Sequence, residues 1–248
     1  MKLLTRFFMT AVLLSGPAYV FANSHTTTTK ITTYRTEDRH LSGFNAVNLA
    51  GSFDVFITQG STESVKVEAP DDVIGRIMTE VNGGVLKIYN KHDDGFHWGD
   101  WFGSHHKKIA IYVTAKDINS INISGSGDVS FKEGITTNTL KIRVTGSGDM
   151  VGKVNVKTLE SSISGSGDVK LSGRADNSTV SVVGSGDFTA RSMVTINTAV
   201  RVTGSGDADI NASNKVEASV SGSGDIRYTG GAKNISTSKS GSGDIERD

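Results

Sequence analysis

Seven aspartates close seven copies of one tetrapeptide, GSGD: Asp128, Asp149, Asp168, Asp187, Asp207, Asp225 and Asp244. Their spacings of 21, 19, 19, 20, 18 and 19 residues predict one copy per repeating unit, with the carboxylates in a row about 5 Å apart. Such a row offers three kinds of chemistry. Carboxylate oxygens in series can hold calcium, two carboxyls about 5 to 5.5 Å apart can serve a retaining glycosidase, and Asp side chains can accept hydrogen bonds from turn amides. Catalysis needs one carboxyl as proton donor and another as nucleophile, in different surroundings, and a ladder of equivalent residues makes no such distinction. The residues therefore favour amide capping. A calcium-binding protein and a carbohydrate-active enzyme remain as alternatives.

A second, non-repeated stretch carries different chemistry. NKHDDGFHWGDWFGSHHKK (90–108) contains four of the six histidines, His92, His97, His105 and His106, and both tryptophans. Imidazole and carboxylate ligands suit zinc, although no helical HExxH or C-x-x-C frame fixes these histidines. Phe96, Trp98, Trp101 and Phe102 offer instead a rigid aromatic platform for a ligand, or a cover for an open end of the fold. The stretch lies between the strand-like runs VLKIYN and KKIAIYVTA and reads as a long hairpin loop.

The elements that position the aspartates follow from the residues beside each motif. Apolar residues lie two and four positions before the first glycine, as in Ile121 and Ile123 or Val180 and Val182. They lie one and three positions after the aspartate, as in Val169 and Leu171. Polar residues alternate with them, so each unit is strand, turn, strand. A second corner falls on polar stretches such as SGRADN (172–177) and NASNK (211–215). A period near 20 predicts an all-β fold, a right-handed parallel β-helix of two sheets with a less regular N-terminal β portion. The glycine pairs are Gly125 and Gly127, Gly146 and Gly148, Gly165 and Gly167, Gly184 and Gly186, Gly204 and Gly206, Gly222 and Gly224, and Gly241 and Gly243. They are expected to supply positive φ and room for stacked corners. VNLAGSFDVFI (47–57) is a degenerate eighth copy, and the last copy, with Thr237, Lys239 and Arg247 at apolar positions, is a cap that refuses a further coil.

The first 22 residues read as a cleaved secretory signal: Lys2 and Arg6 precede an apolar stretch from Phe7 to Val20 that ends at Val20-Phe21-Ala22. Residues 23–43 read as a polar leader, flexible or an edge strand, and 44–248 as one domain, with 44–115 its N-terminal portion and 116–248 the GSGD coils. The chain has no cysteine, so neither lipidation nor disulfides hold it. Removing the signal leaves 24 basic and 26 acidic side chains, a balance that argues against nucleic acid as a partner. No membrane-spanning segment is expected after cleavage.

These features together resemble the family of auto-transporter adhesins with the head GIN domain. The likeness rests on FNAVNLAGSFDVFITQG, ESVKVEAP, VLKIYN and VTAKDINSINISGSGDV, followed by the GSGD coils. It implies a right-handed parallel β-helix with the glycine motif at its tight corner, and a non-enzymatic role in adhesion; it supplies no catalytic residues. A run of membrane-barrel strands is not expected after GSGDIERD. The resulting expectation is an exported protein, periplasmic, outer-membrane-associated or extracellular, that presents a binding surface to a carbohydrate or protein, with self-association through coil edges or ends a further reading.

Overall fold

The structure, a computed structural model, describes residues 33–91 and 108–248. It is a β-solenoid of about seven turns with about 19 residues per coil. After the short strands β1 (Tyr34–Asp38), β2 (Ala46–Gly51), β3 (Asp54–Gln59), β4 (Ser64–Pro70), β5 (Ile77–Asn82), β6 (Val85–Asn90), β7 (Ala110–Ala115) and β8 (Ser120–Gly125), the chain settles into long ones. These are β9 (Asp128–Gly146), β10 (Met150–Gly165), β11 (Val169–Gly184), β12 (Phe188–Gly204) and β13 (Ala208–Gly222). The final coil is made of β14 (Ile226–Thr229), β15 (Asn234–Gly241) and β16 (Ile245–Arg247). A single 3-10 turn, Ile74–Arg76, lies between β4 and β5.

Each long strand pairs in parallel with the next at equivalent positions, Val144 with Ile163, Ile163 with Val182 and Val182 with Val202. Identical spacing places apolar side chain over apolar side chain, and alternation sends every second one inward. Val129, Met150, Val169, Phe188, Ala208 and Ile226 form one fully buried column. At the second corner the inward parity changes, between Val156 and Leu159 in β10 and between Ala175 and Ser178 in β11. That change turns one long strand into two walls. The residues before each GSGD corner form a pre-corner sheet, continued by β8, β2, β6 and β5; those after it form a post-corner sheet, continued by β3, β7, β4 and β1. Longer coils keep their register by bulging at this second corner, as between Gly152 and Val154. Asn177, Asn197 and Asn214 link their amides across coils there.

The N-terminal end departs from simple stacking. The coil of β6 and β7 packs beneath that of β2 and β3, although it follows it in the chain. The antiparallel strands β4 and β5 lie beyond it. Part of the expected leader belongs to the fold, because Tyr34–Asp38 pairs antiparallel with β4 as an edge strand. Its side chains are almost all exposed, which suits a strand with no neighbour on its outer side among the described residues.

Two buried hydroxyls stand out in the apolar core. Ser161 lies between Ile142 and Val180, Ser178 lies between Leu159 and Thr198, and neither Oγ has a hydrogen-bond partner. Burying an unpaired hydroxyl costs about 1 to 3 kcal/mol. Ser161→Ala is therefore expected to raise stability by about 1 kcal/mol in urea denaturation; a loss instead would show that the hydroxyl is paired in solution.

Candidate functional site

All seven aspartates of the repeat stack on one edge, and the carboxylates of six, Asp128 through Asp225, act as amide acceptors. Oδ1 of Asp128 accepts the backbone N–H of Asp149 at 3.0 Å, and the same bond recurs from Asp168 to Asp149, Asp187 to Asp168, Asp207 to Asp187, Asp225 to Asp207 and Asp244 to Asp225. The neighbouring amides are satisfied differently. The carbonyl of Gly146 accepts from both Ser166 and Gly167, at 2.8 and 3.1 Å, and this fork also repeats along the row. At the corner the backbone offers one carbonyl for two amides. The aspartate supplies the missing acceptor.

The two glycines of the motif have different tasks. The first adopts positive φ, from 117° at Gly241 to 135° at Gly222. The second does not; there a Cβ would fall well inside 3.0 Å of the carbonyl oxygen of the coil before, as at Gly167 over Gly148. The degenerate copy fits the same frame, since Gly51 pairs with Gly125 and Asp54 with Asp128. In place of the second glycine it carries Phe53, which is buried.

Charge along the row is balanced at one end. Arg227 bridges Asp225 at 3.1 Å and Asp207 at 3.6 Å. Lys239 pairs with Asp244. Among the described residues no three His, Asp or Glu side chains gather as a metal site. Asp168→Ala is expected to strand the Asp187 amide, lower stability by about 1 to 2 kcal/mol and speed hydrogen exchange at Asp187; Asp168→Asn keeps an acceptor and is expected to match the parent protein in both.

The candidate ligand residues Phe96, Trp98, Trp101 and Phe102, and the candidate zinc ligands His92, His97, His105 and His106, lie outside the described residues. Their flanks correct the hairpin reading. β6 and β7 do not pair with each other; each runs parallel to a different partner, β2 and β3, in the two separate sheets. VLKIYN and IAIYVTA keep their apolar faces buried as the two walls of one coil. On the outer face of the post-corner sheet, Phe56 and Tyr112 stack with centroids 5.4 Å apart. Desolvation, followed by the adjacent Glu68 carboxylate, holds the Tyr112 phenol above the ordinary tyrosine range.

The outer face of the pre-corner sheet is concave in two places. Two hollows of about 570 and 510 Å³ lie along it, and Thr179 and Ser181 line both. Three columns of outward residues build this face. The central one runs Asn122, Arg143, Ser162, Ser181, Arg201, Ser219, Ser238, in register from coil to coil. It is flanked toward the corner by Ser124, Thr145, Ser164, Val183, Thr203 and Ser221, and on the other side by a column from Ser120 to Ser236 that holds Lys141, Glu160 and Glu217. Small hydroxylated side chains leave the sheet open enough to form a groove. Sequence reasoning attended to inward residues and missed this face; the signal was present as the residue three positions before each first glycine.

Stacked coils, glycine corners and an aspartate ladder define the molecule as a repeat scaffold, with its chemistry on outward faces. The family described as "Putative auto-transporter adhesin, head GIN domain" matches residues 43–232, and the chain belongs to that family. Among solved structures it is similar to a "putative adhesin" from Bacteroides fragilis NCTC 9343, with 27% identity and a TM-score of 0.81 over 87% of this chain and 97% of that one. Two proteins of Parabacteroides distasonis ATCC 8503 share the fold. One, a "putative adhesin", has 23% identity and a TM-score of 0.71 over 88% of this chain and 98% of its own. The other, a "Putative lipid binding protein", has 24% identity and a TM-score of 0.69 over 87% and 96%. No curated protein matches the chain.

Proposed function

We propose that this protein is an exported, non-enzymatic solenoid that uses the outer face of its pre-corner sheet as an adhesive binding surface. The observation that carries the reading is the pair of hydroxyl-bearing hollows that share Thr179 and Ser181 and together span several coils, on a scaffold whose register fixes the lining residues. Such a surface can engage an extended ligand at many weak points without ordering loops, which keeps the entropic cost of binding low. Family membership and the adhesin-named structural neighbours support the same reading. The basic, apolar and small-residue order of the first 22 residues supports export. Among the described residues no helix is long and apolar enough to cross a membrane.

The ladder carboxylates support the non-enzymatic part, because in each of Asp128 through Asp225 Oδ1 is committed to an amide, and Asp128 through Asp187 repeat one environment. The test is retention of the protein on panels of immobilised glycans and matrix proteins, with Ser181→Trp as the variant that fills the groove where its two hollows meet. Binding by the parent and loss in Ser181→Trp, with unchanged melting temperature, is the expected result. Retention on no surface, equal retention of the variant, or turnover of a polysaccharide would overturn the proposal.

A further inference from the structure

The groove carries an uneven charge pattern. Its acidic residues are already engaged: Glu160 with Lys141 at 2.9 Å and Glu217 with Lys215. Arg143 and Arg201 are exposed, and neither has an ion pair or hydrogen bond among the described residues. Their neighbours in the central column are Asn122, Ser162, Ser181 and Ser219, which bring no charge. The nearest carboxylates are the diagonal Glu160 and Glu217, held by the two lysines. Two unpaired guanidiniums therefore stand on one line along the solenoid axis, with two serines between them. Three ladder steps separate them, about 14 Å.

We infer that this line binds an acidic polysaccharide chain laid along the solenoid axis, with Arg143 and Arg201 each holding a carboxylate or sulfate and the intervening hydroxyls meeting the sugar hydroxyls. The inference rests on the proposed use of this face as the binding surface. A guanidinium's planar donors suit a carboxylate in a bidentate pair, which a serine-lined face cannot provide alone. The linear spacing calls for a polymer carrying anions at intervals, and a single small anion would occupy one arginine only. Ser162 and Ser181 leave room for the chain to lie close to the sheet, while the neutral column from Ser124 to Ser221 separates it from the aspartate edge.

The test is binding of the full chain to immobilised polygalacturonate, with dextran as the neutral polymer and vesicles containing anionic phosphatidylglycerol as the alternative source of anions. The parent protein is expected to bind polygalacturonate and to lose affinity as salt rises. The double variant Arg143→Gln/Arg201→Gln is expected to bind about tenfold or more weakly. Removing two exposed cations from the opposite sheet, Lys153→Gln/Lys170→Gln, is expected to leave binding unchanged. Equal binding by the arginine double variant, an equal loss in the lysine pair, or capture by the vesicles but not by polygalacturonate would overturn the inference. Dextran binding as strong as polygalacturonate binding, abolished by Ser181→Trp, would overturn the acidic ligand and leave the surface reading standing. Failure to bind any polymer or panel surface would remove both.

Discussion

Gly167→Ala is expected to destabilise the protein by about 3 kcal/mol, at the upper end of what overpacking costs, because the atom it adds meets backbone. Its Cβ would sit well inside 3.0 Å of the Gly148 carbonyl oxygen, and that oxygen belongs to a stacked corner held from both sides. Relief requires the two coils to separate where the amide fork and the aspartate bond join them. Gly43→Ala serves as the comparison: it has φ of 79° but open space around it, so it carries only the backbone cost of about 1 to 2 kcal/mol. Gly165→Ala combines both penalties, with φ of 130° and a close approach to Gly146, and is expected to be the worst of the three. Urea midpoints for the three variants would separate the effects. A Gly167→Ala no less stable than Gly43→Ala would mean that corner spacing does not limit the stack.

The second large effect concerns a residue outside the motif. Gly152 lies beside Phe131 in adjacent coils, where other coils have Leu171, Ala190 and Ile210. A Cβ on Gly152 would penetrate the Phe131 ring, which is fully buried. The pair shares one core site, with all the volume on one side. Gly152→Val alone is expected to cost about 3 kcal/mol through overpacking, and Phe131→Ala alone about 3 to 5 kcal/mol through the cavity it leaves. Together the changes should cost less than their sum by at least about 1 kcal/mol, since each relieves the defect of the other. Additive losses in a double-mutant cycle would show that the ring and the glycine do not share space in solution.

The corners were legible because the motif is local: GSGD declares its own turn, and alternation around it assigns Ile123, Val144 and Val182 to the interior. The polar positions of the last copy, Thr237 and Lys239, were legible for the same reason and are exposed in β15, whereas the pairing of Lys239 with Asp244 was not. Contacts between coils were harder to read. Arg143 and Arg201 are 58 residues apart, in coils of 19, 19 and 20 residues, and a bulge between β11 and β12 absorbs the extra residue and keeps them on one line. Gly152 looks like a weak strand residue until Phe131 is seen to fill its place. The N-terminal inversion was hidden because parallel and antiparallel strands share one alternating pattern, so VLKIYN and IAIYVTA look like a hairpin when they are opposite walls of one coil.

The order of the post-corner sheet, from β1 at one end to β16 at the other, has a mechanical consequence. Strands lie across the long axis and their hydrogen bonds run along it, so a pull between β1 and β16 loads those bonds end-on and a few at a time. Force then peels coils singly, each releasing about 60 Å of chain, where a strand pair loaded in shear would hold until many bonds failed together. A tether built this way yields in small increments and dissipates a sudden load without losing the coils still stacked.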